Sequence, residues 1–258
     1  MNEQSNESSA PQYYSRHQGL TTHFNDFYFV KILESDGDFF LIETKAKKDG
    51  HYPIDAQKFL IEKDLVYPVA SSLDVVKNGN YEPDDPMAVI IPNRNTSPES
   101  LAHDQYRLAG LPHTLEYLNQ FHHTLKRHAD LESNRPAHLP FWAINCDQPA
   151  LFSEIKVAWD MVDGQLKTAH LETHSIYLKN NLVIPTDNLQ FVVIPDLATE
   201  MYFLGRMREI AQAHQEQSVW PSQPAELSSA QIPIEKYDDA NPYHYLLELQ
   251  MKDEFGFI

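Results

Sequence analysis

Two aromatic and β-branched runs, Phe27-Tyr28-Phe29-Val30-Lys31-Ile32-Leu33 and Phe39-Phe40-Leu41-Ile42-Glu43-Thr44-Lys45, flank Ser35-Asp36-Gly37-Asp38. Asp-Gly supplies the positive φ of a tight turn, so residues 27–45 are predicted as a β-hairpin. Lys58 to Glu62 reads as a third strand, with a turn or short helix near Glu62–Asp64. Met87 to Ile91 is a short continuous apolar run of the kind that forms a buried strand. A short helix is expected over Leu101–Leu108. A stronger one begins at Pro112, because Leu115, Leu118, Phe121, His122 and Leu125 recur at three- and four-residue steps. Further strands are predicted near Ile155–Trp159, Ser175–Leu178, Leu182–Ile184 and Phe191–Ile194. Two helices close the chain: one from Leu197 to about Gln215, capped by Asp196, and one from Pro242 to Lys252. Many strands broken by helices, without regular βαβ alternation, make the predicted class α+β.

The 258 residues contain no Pro/Gly/Ser-rich linker, so a single domain over 18–258 is expected behind a polar tail at 1–17. Cys146 is the lone cysteine, which excludes an intrachain disulfide and a cysteine zinc site. With no signal-like segment the chain reads as cytoplasmic. Apolar runs such as Leu189 to Pro195 fall far short of the roughly 20 residues a membrane span needs. None of the eight glycines forms a Gly-x-Gly pair, which argues against a phosphate-cradling loop. The net charge of −17 runs against duplex-DNA binding unless the binding field is local.

Six short motifs follow in a fixed order. They are Gln18-Gly19-Leu20-Thr21-Thr22-His23-Phe24-Asn25-Asp26-Phe27-Tyr28-Phe29-Val30, Glu62-Lys63-Asp64-Leu65-Val66-Tyr67-Pro68-Val69, and Met87-Ala88-Val89-Ile90-Ile91-Pro92. Then come Leu115-Glu116-Tyr117-Leu118 with Leu125-Lys126-Arg127-His128, Phe141-Trp142 leading to Glu154-Ile155-Lys156-Val157-Ala158-Trp159, and Ile232-Pro233-Ile234-Glu235-Lys236-Tyr237. This order resembles the C-terminal target-recognition region of restriction-modification DNA adenine-N6 methyltransferases, including the TaqI-like specificity domain. The methyltransferase half has no counterpart here.

The resemblance implies a scaffold whose loops contact double-stranded DNA beside a methyltransferase or restriction subunit. Base edges and phosphates are met by Arg, Lys, Asn, Gln, Ser and Thr. The matching loops are Thr21-Thr22-His23-Phe24-Asn25, Ser71-Ser72-Leu73-Asp74 with Lys77, and Asn93-Arg94-Asn95. The candidate DNA-contacting residues are therefore Thr21, Thr22, Asn25, Lys77, Arg94, Lys126, Arg127 and Lys156. For Thr21–Asn25 the competing reading is a strand-initiating turn in which Asn25 serves the backbone. Two departures thin the positive charge. Val69-Ala70-Ser71-Ser72-Leu73-Asp74 lacks the basic residues and glycine usual after Tyr-Pro, and Ala143-Ile144-Asn145-Cys146 follows the paired aromatics without an arginine. An acidic protein-interaction module of the same fold, regulating or competing within such a complex, is the alternative. A severed C-terminal piece of a larger enzyme is a third possibility.

Other chemistry is weakly supported. Asp239-Ala240-Asn241-Pro242-Tyr243 approaches the Asn-Pro-Pro-Tyr signature of adenine methyltransferases but lacks the second proline, and reads instead as a helix start capped by Asn241. No Gly-rich unit for S-adenosylmethionine precedes it, so no cofactor and no independent catalysis are expected. Glu43-Thr44-Lys45 and Glu154-Ile155-Lys156 fit the Glu-x-Lys triplet of magnesium nucleases, a pattern common by chance. Thirteen histidines include His122-His123 with His128 and the set His170, Glu172 and His174, but the latter would spread about 13 Å along an extended strand at roughly 3.3 Å per residue. That is too far for one ion, so no metal site is expected.

Overall fold

The computed structural model describes residues 14–45, 55–73, 76–77, 80–81, 87–171, 182–216, 227, 231–232 and 234–257. Among them two six-stranded sheets and one two-stranded pair form an α+β domain. The first sheet, sheet I, contains β3 (Phe29–Asp36), β4 (Phe39–Thr44), β5 (Lys58–Glu62), β6 (Val66–Ala70), β9 (Met87–Ile90) and β12 (Ile184–Pro185), in the order β12-β6-β9-β3-β4-β5. Sheet II contains β2 (His17–Gln18), β7 (Val76–Lys77), β8 (Asn80–Tyr81), β10 (Lys156–Val162), β11 (Gln165–His170) and β13 (Gln190–Val193), in the order β2-β13-β10-β11-β8-β7. The chain crosses repeatedly between the sheets, so no single cut separates them.

The predicted hairpin is β3–β4, antiparallel, with Gly37 at φ +50° in its turn and a bulge between Ile32 and Glu34. Period-2 alternation puts Phe40, Ile42 and Thr44 in the core and leaves Phe39, Leu41 and Glu43 half-buried. The helical turn α1 (Asn25–Tyr28) precedes β3, and a 3-10 turn at Lys63–Leu65 joins β5 to β6. Helix α2 (Pro98–Ala109) starts at Ser97, whose Oγ accepts from Ser100 N at 3.3 Å. The predicted helix from Pro112 divides into α3 (Pro112–Gln120) and α4 (His122–Leu131). The break falls at Phe121, which packs edge-on against Phe27 and Phe59 at centroid separations of 5.1 and 5.8 Å.

Glu62, at the end of β5, caps α3 from across the fold. Its carboxylate accepts from His113 N at 3.0 Å, from Thr114 N at 2.7 Å and from Thr114 Oγ1 at 2.6 Å. Burial opposes its charge, but these hydrogen bonds outweigh burial and hold the carboxyl below the usual range.

The last residues of the predicted tail, 1–17, pair in strands. Tyr14–Ser15 (β1) pairs antiparallel with β14 (Gln231–Ile232), and β2 pairs with β13. Tyr14 provides the apolar anchor, with its ring 5.0 Å from that of Phe203. Residues 1–13 lie outside the described residues. Gly19 N donates to Leu189 O at 3.0 Å, and Leu20 N donates to Pro185 O at 2.7 Å. A Cβ at Gly19 would lie 2.0 Å from Thr186 O, so only glycine permits this approach.

β10 and β11 form a hairpin that the sequence reading did not include. Asp163 and Gly164 both have positive φ, 50° and 75°, between the paired residues Val162 and Gln165. The predicted strand at Ser175–Leu178 lies outside the described residues. Helices α5 (Leu197–Glu216) and α6 (Pro242–Glu254) begin as expected, with Thr199 N bonded to Asp196 Oδ1 at 2.8 Å and Tyr243 N bonded to Asn241 Oδ1 at 3.0 Å.

Sheet II separates two apolar clusters. On one face Ala158, Ala169 and Phe191 join a cluster that continues through sheet I to Leu101, Tyr117 and Leu125 of α2–α4. On the other face Val157, Trp159 and Val192 pack against Met201, Phe203, Met207, Leu247 and Met251 of α5 and α6. Among the described residues no helix is long and apolar enough to cross a membrane.

Candidate functional site

Three of the motif-bearing segments converge on residues 132–146, an irregular stretch between α4 and the 3-10 turn Pro149–Phe152. Irregular backbone must find hydrogen-bond partners outside a ladder, and side chains from elsewhere in the fold supply them. Arg135, whose side chain is only 9% exposed, donates to Pro140 O at 2.6 Å and to Ala143 O at 2.7 Å, and pairs with Glu132 at 3.2 Å. Tyr28, from the first motif, donates to Trp142 O at 3.0 Å. Asn93, just past the third, acts as a surrogate strand: Ile144 N donates to its Oδ1 at 2.8 Å and its Nδ2 donates to Ile144 O at 2.9 Å. His138 Nε2 donates to Thr96 O at 2.8 Å. The surface of this region is thus tied to sheet I and to α1.

Two polar pockets meet at Glu132. One, of about 460 Å³, is lined by His122, Lys126, Asp130, Arg135 and Phe141 among others. The second, of about 370 Å³, is lined by His23, His128, Ser133, Asn134 and Asn145 among others. Glu132 accepts from Asn145 Nδ2 at 3.1 Å and faces His23 Nε2 at 3.6 Å. The His128 ring stacks on Phe24 at 4.8 Å, and burial is the largest influence lowering its pKa. Residues 121–138 hold three cations (Lys126, Arg127, Arg135), two carboxylates (Asp130, Glu132) and four histidines, in a chain whose net charge is −17. With its histidines neutral the segment carries a net charge of +1, against −17 for the whole chain.

The candidate residues fare differently. Lys126 and Arg127 are exposed on α4, about 100° apart in helical projection. Lys126 shares a face with His122 and Asp130, whereas Arg127 shares one with His123 and Leu131. Thr22 is buried; its hydroxyl donates to Asn25 Oδ1 at 2.5 Å and accepts from Phe24 N at 3.2 Å. The turn leads into the helical turn α1 rather than directly into a strand, and Thr22, not Asn25, bonds the backbone. Asn25 remains exposed and Thr21 half-buried beside it. Arg94 is exposed but steadied elsewhere, 5.2 Å over the Phe152 ring and 3.4 Å from Tyr67 Oη. Lys77 lies on β7 near the edge of sheet II, and its side chain lies outside the described residues.

Lys156 leaves the set. It is fully buried on β10, with its ammonium donating to Ser153 O, and burial lowers its pKa to about 8. No surface is available to it, because the strand alternation that sends Val157 and Trp159 towards α5 turns Lys156 to the opposite, equally covered face. Its burial also breaks the Glu154-Ile155-Lys156 triplet, since Glu154 is exposed. Among the described residues no group of three or more His, Cys, Asp or Glu is arranged to hold a metal ion. His170 is buried against Glu200 of α5, and Glu172 and His174 lie outside the described residues.

The sequence reading gave no role to Arg135, Glu132 or Tyr28, and placed Asn93 only within a DNA-contacting loop. Glu132 and Arg135 carry a signal, opposite charges at i, i+3. The carbonyls that Arg135, Tyr28 and Asn93 hold carry none. No protein-family model matches the chain, and no curated protein matches it.

Proposed function

We propose that the chain is a DNA target-recognition component that acts in the cytoplasm with a separately encoded methyltransferase or restriction subunit. The observation that carries this reading is the convergence at residues 132–146. The Thr21–Asn25 turn, the Asn93–Asn95 loop and the Leu125–His128 helix belong to segments that resemble a DNA-recognition region, and all three border one hydrogen-bonded surface. A base-reading surface needs such fixed loops, because paired hydrogen bonds to base edges demand directional donors. In this reading Lys126, Arg127 and Arg94 meet phosphates, and Thr21, Asn25, Asn134 and Asn145 are the neutral polar groups near bases. Methyl transfer belongs to the partner, so calorimetry with S-adenosylmethionine should show no saturable binding. Selection of a random duplex library with and without the cognate enzyme tests the reading. Enrichment of one sequence motif supports it, and an unenriched pool in both arms refutes it.

A second reading, an acidic module that occupies the DNA track of its partner, is favoured by the charge of −17 and by how many cations are engaged internally. Arg107, Arg135, Arg206, Arg208 and Lys252 all pair with carboxylates of the same chain. A complex with the enzyme that DNA displaces competitively, combined with no selected motif, distinguishes it.

A further inference from the structure

Helix α6 buries one face and leaves apolar side chains exposed on the other. His244, Leu247, Glu248 and Met251 are buried, and a Cβ at Gly205 of α5 would lie 2.5 Å from Leu247 Cγ, so the two helices are in close contact. At 3.6 residues per turn, Pro242, Tyr245, Leu246, Leu249 and Asp253 fall on the opposite side. Leu246 is 64% exposed and Tyr245 47%, while Leu249 is half-buried. Phe257, just past the helix, is 50% exposed. These apolar side chains lie at the outside of the fold, and Asp253, four residues after Leu249, ends the apolar group on that face.

The surroundings of that stripe identify what covers it. Residues 235–254 contain six carboxylates (Glu235, Asp238, Asp239, Glu248, Asp253, Glu254) and two lysines, a net charge of −4. Lys252 pairs with Glu248 at 2.6 Å and Arg208 of α5 pairs with Glu254, whereas Asp238 and Asp239 at one end and Asp253 at the other are exposed. A second copy related by a two-fold axis would set acid against acid in either orientation, Asp238 and Asp239 against Asp253 if the helices run antiparallel and each against its own counterpart if they run parallel. An anionic lipid surface is repelled by the same charges.

We infer that the outer face of α6 is a docking surface for a protein helix that carries an apolar stripe bordered by lysine or arginine. It lies on the α5 side of sheet II, whereas the 132–146 surface belongs to the sheet I side, so docking leaves the proposed DNA surface open. The inference goes beyond the DNA-recognition reading and stands whether or not that reading holds.

The test uses the full chain and two synthetic amphipathic helices with the same leucine stripe, one bordered by lysine and the other by glutamate. Fluorescence anisotropy should show the Leu/Lys peptide binding at least tenfold more tightly than the Leu/Glu peptide. Leu246→Glu should weaken the Leu/Lys peptide at least tenfold while leaving the thermal melt unchanged. Because that change adds negative charge, purely electrostatic attraction would instead strengthen binding, a result that overturns the proposal. A paired Asp238→Lys and Asp239→Lys variant should narrow the difference between the peptides. Equal binding of both peptides by the unaltered chain, or sedimentation as a dimer that Leu246→Glu dissolves, also overturns it; the second outcome would make another copy the occupant. Neither result depends on DNA binding, so this failure and that of the DNA reading are separable.

Discussion

Around Arg135, polar side chains reach inward to hold irregular backbone, whereas on α6 apolar side chains such as Leu246 are exposed. The first arrangement costs order and gains rigidity: each buried carbonyl at Pro140, Trp142, Ala143 and Ile144 has a side-chain donor of fixed position. The second leaves hydration cost standing on the outside of a helix whose inner face is already satisfied. Fixed polar loops suit recognition by directional hydrogen bonds, and an uncovered apolar stripe suits association by area. Two surfaces built on opposite principles, one on each side of sheet II, fit a protein that holds one partner while reading another.

Removing the Arg135 guanidinium should have the largest effect on this contrast. Arg135→Ala leaves Glu132 without its ion pair and two carbonyls without donors, and should cost about 3 kcal/mol in urea unfolding. Leu246→Ala, on the exposed face of α6, should change stability by less than about 0.5 kcal/mol. Equal losses at the two positions would erase the distinction between an internally pinned region and an outward face.

Next in size is Lys156→Met, which should stabilise the fold by about 1–3 kcal/mol, because a buried ammonium gives way to an apolar side chain of similar length. The sign of its pH dependence follows from the lowered pKa. The unfolded chain binds the proton more tightly than the fold, so wild-type stability rises as pH increases from about 8 towards the ordinary lysine value of 10.5. The Met variant should lack that rise in parallel melts.

The hairpin β3–β4, the strands at Lys58 and Met87, and the starts of α3, α5 and α6 were legible because alternation, Asp-Gly, proline and capping residues act within a few positions of one another. The β10–β11 hairpin carries an equally local signal, Asp163-Gly164 between Met161-Val162 and Leu166. The division at Phe121 was not legible, since the apolar period runs through it and the break comes from packing on Phe27 and Phe59. Exposure of Lys126 and Arg94 could be foreseen for charged groups, but burial of Lys156 could not, because strand alternation says which residues share a face and not which face is covered. Arg135 escaped notice because its partners are main-chain carbonyls.

A smaller effect should appear in acid. Burial keeps His128 less basic than an ordinary histidine, and the same is true of His17. The unfolded chain then binds protons that the fold resists, so stability is lost as pH falls through the ordinary histidine range. His128→Phe should preserve the stacking on Phe24 and flatten the melting temperature between pH 7 and 5 relative to wild type. An unchanged slope would place the acid response elsewhere.

The most direct measurement is the salt dependence of DNA binding by the chain in complex with its enzyme partner, for wild type and for Lys126→Ala, Arg127→Ala and Arg94→Ala. A cation that meets a phosphate contributes about −0.9 to the slope of log K against log salt. The account predicts sequence-selective binding whose slope becomes shallower by about one unit in each of these variants and is unaltered in Leu246→Glu. Selective binding with slopes identical in all four variants, or no selectivity at low and high salt alike, would contradict it.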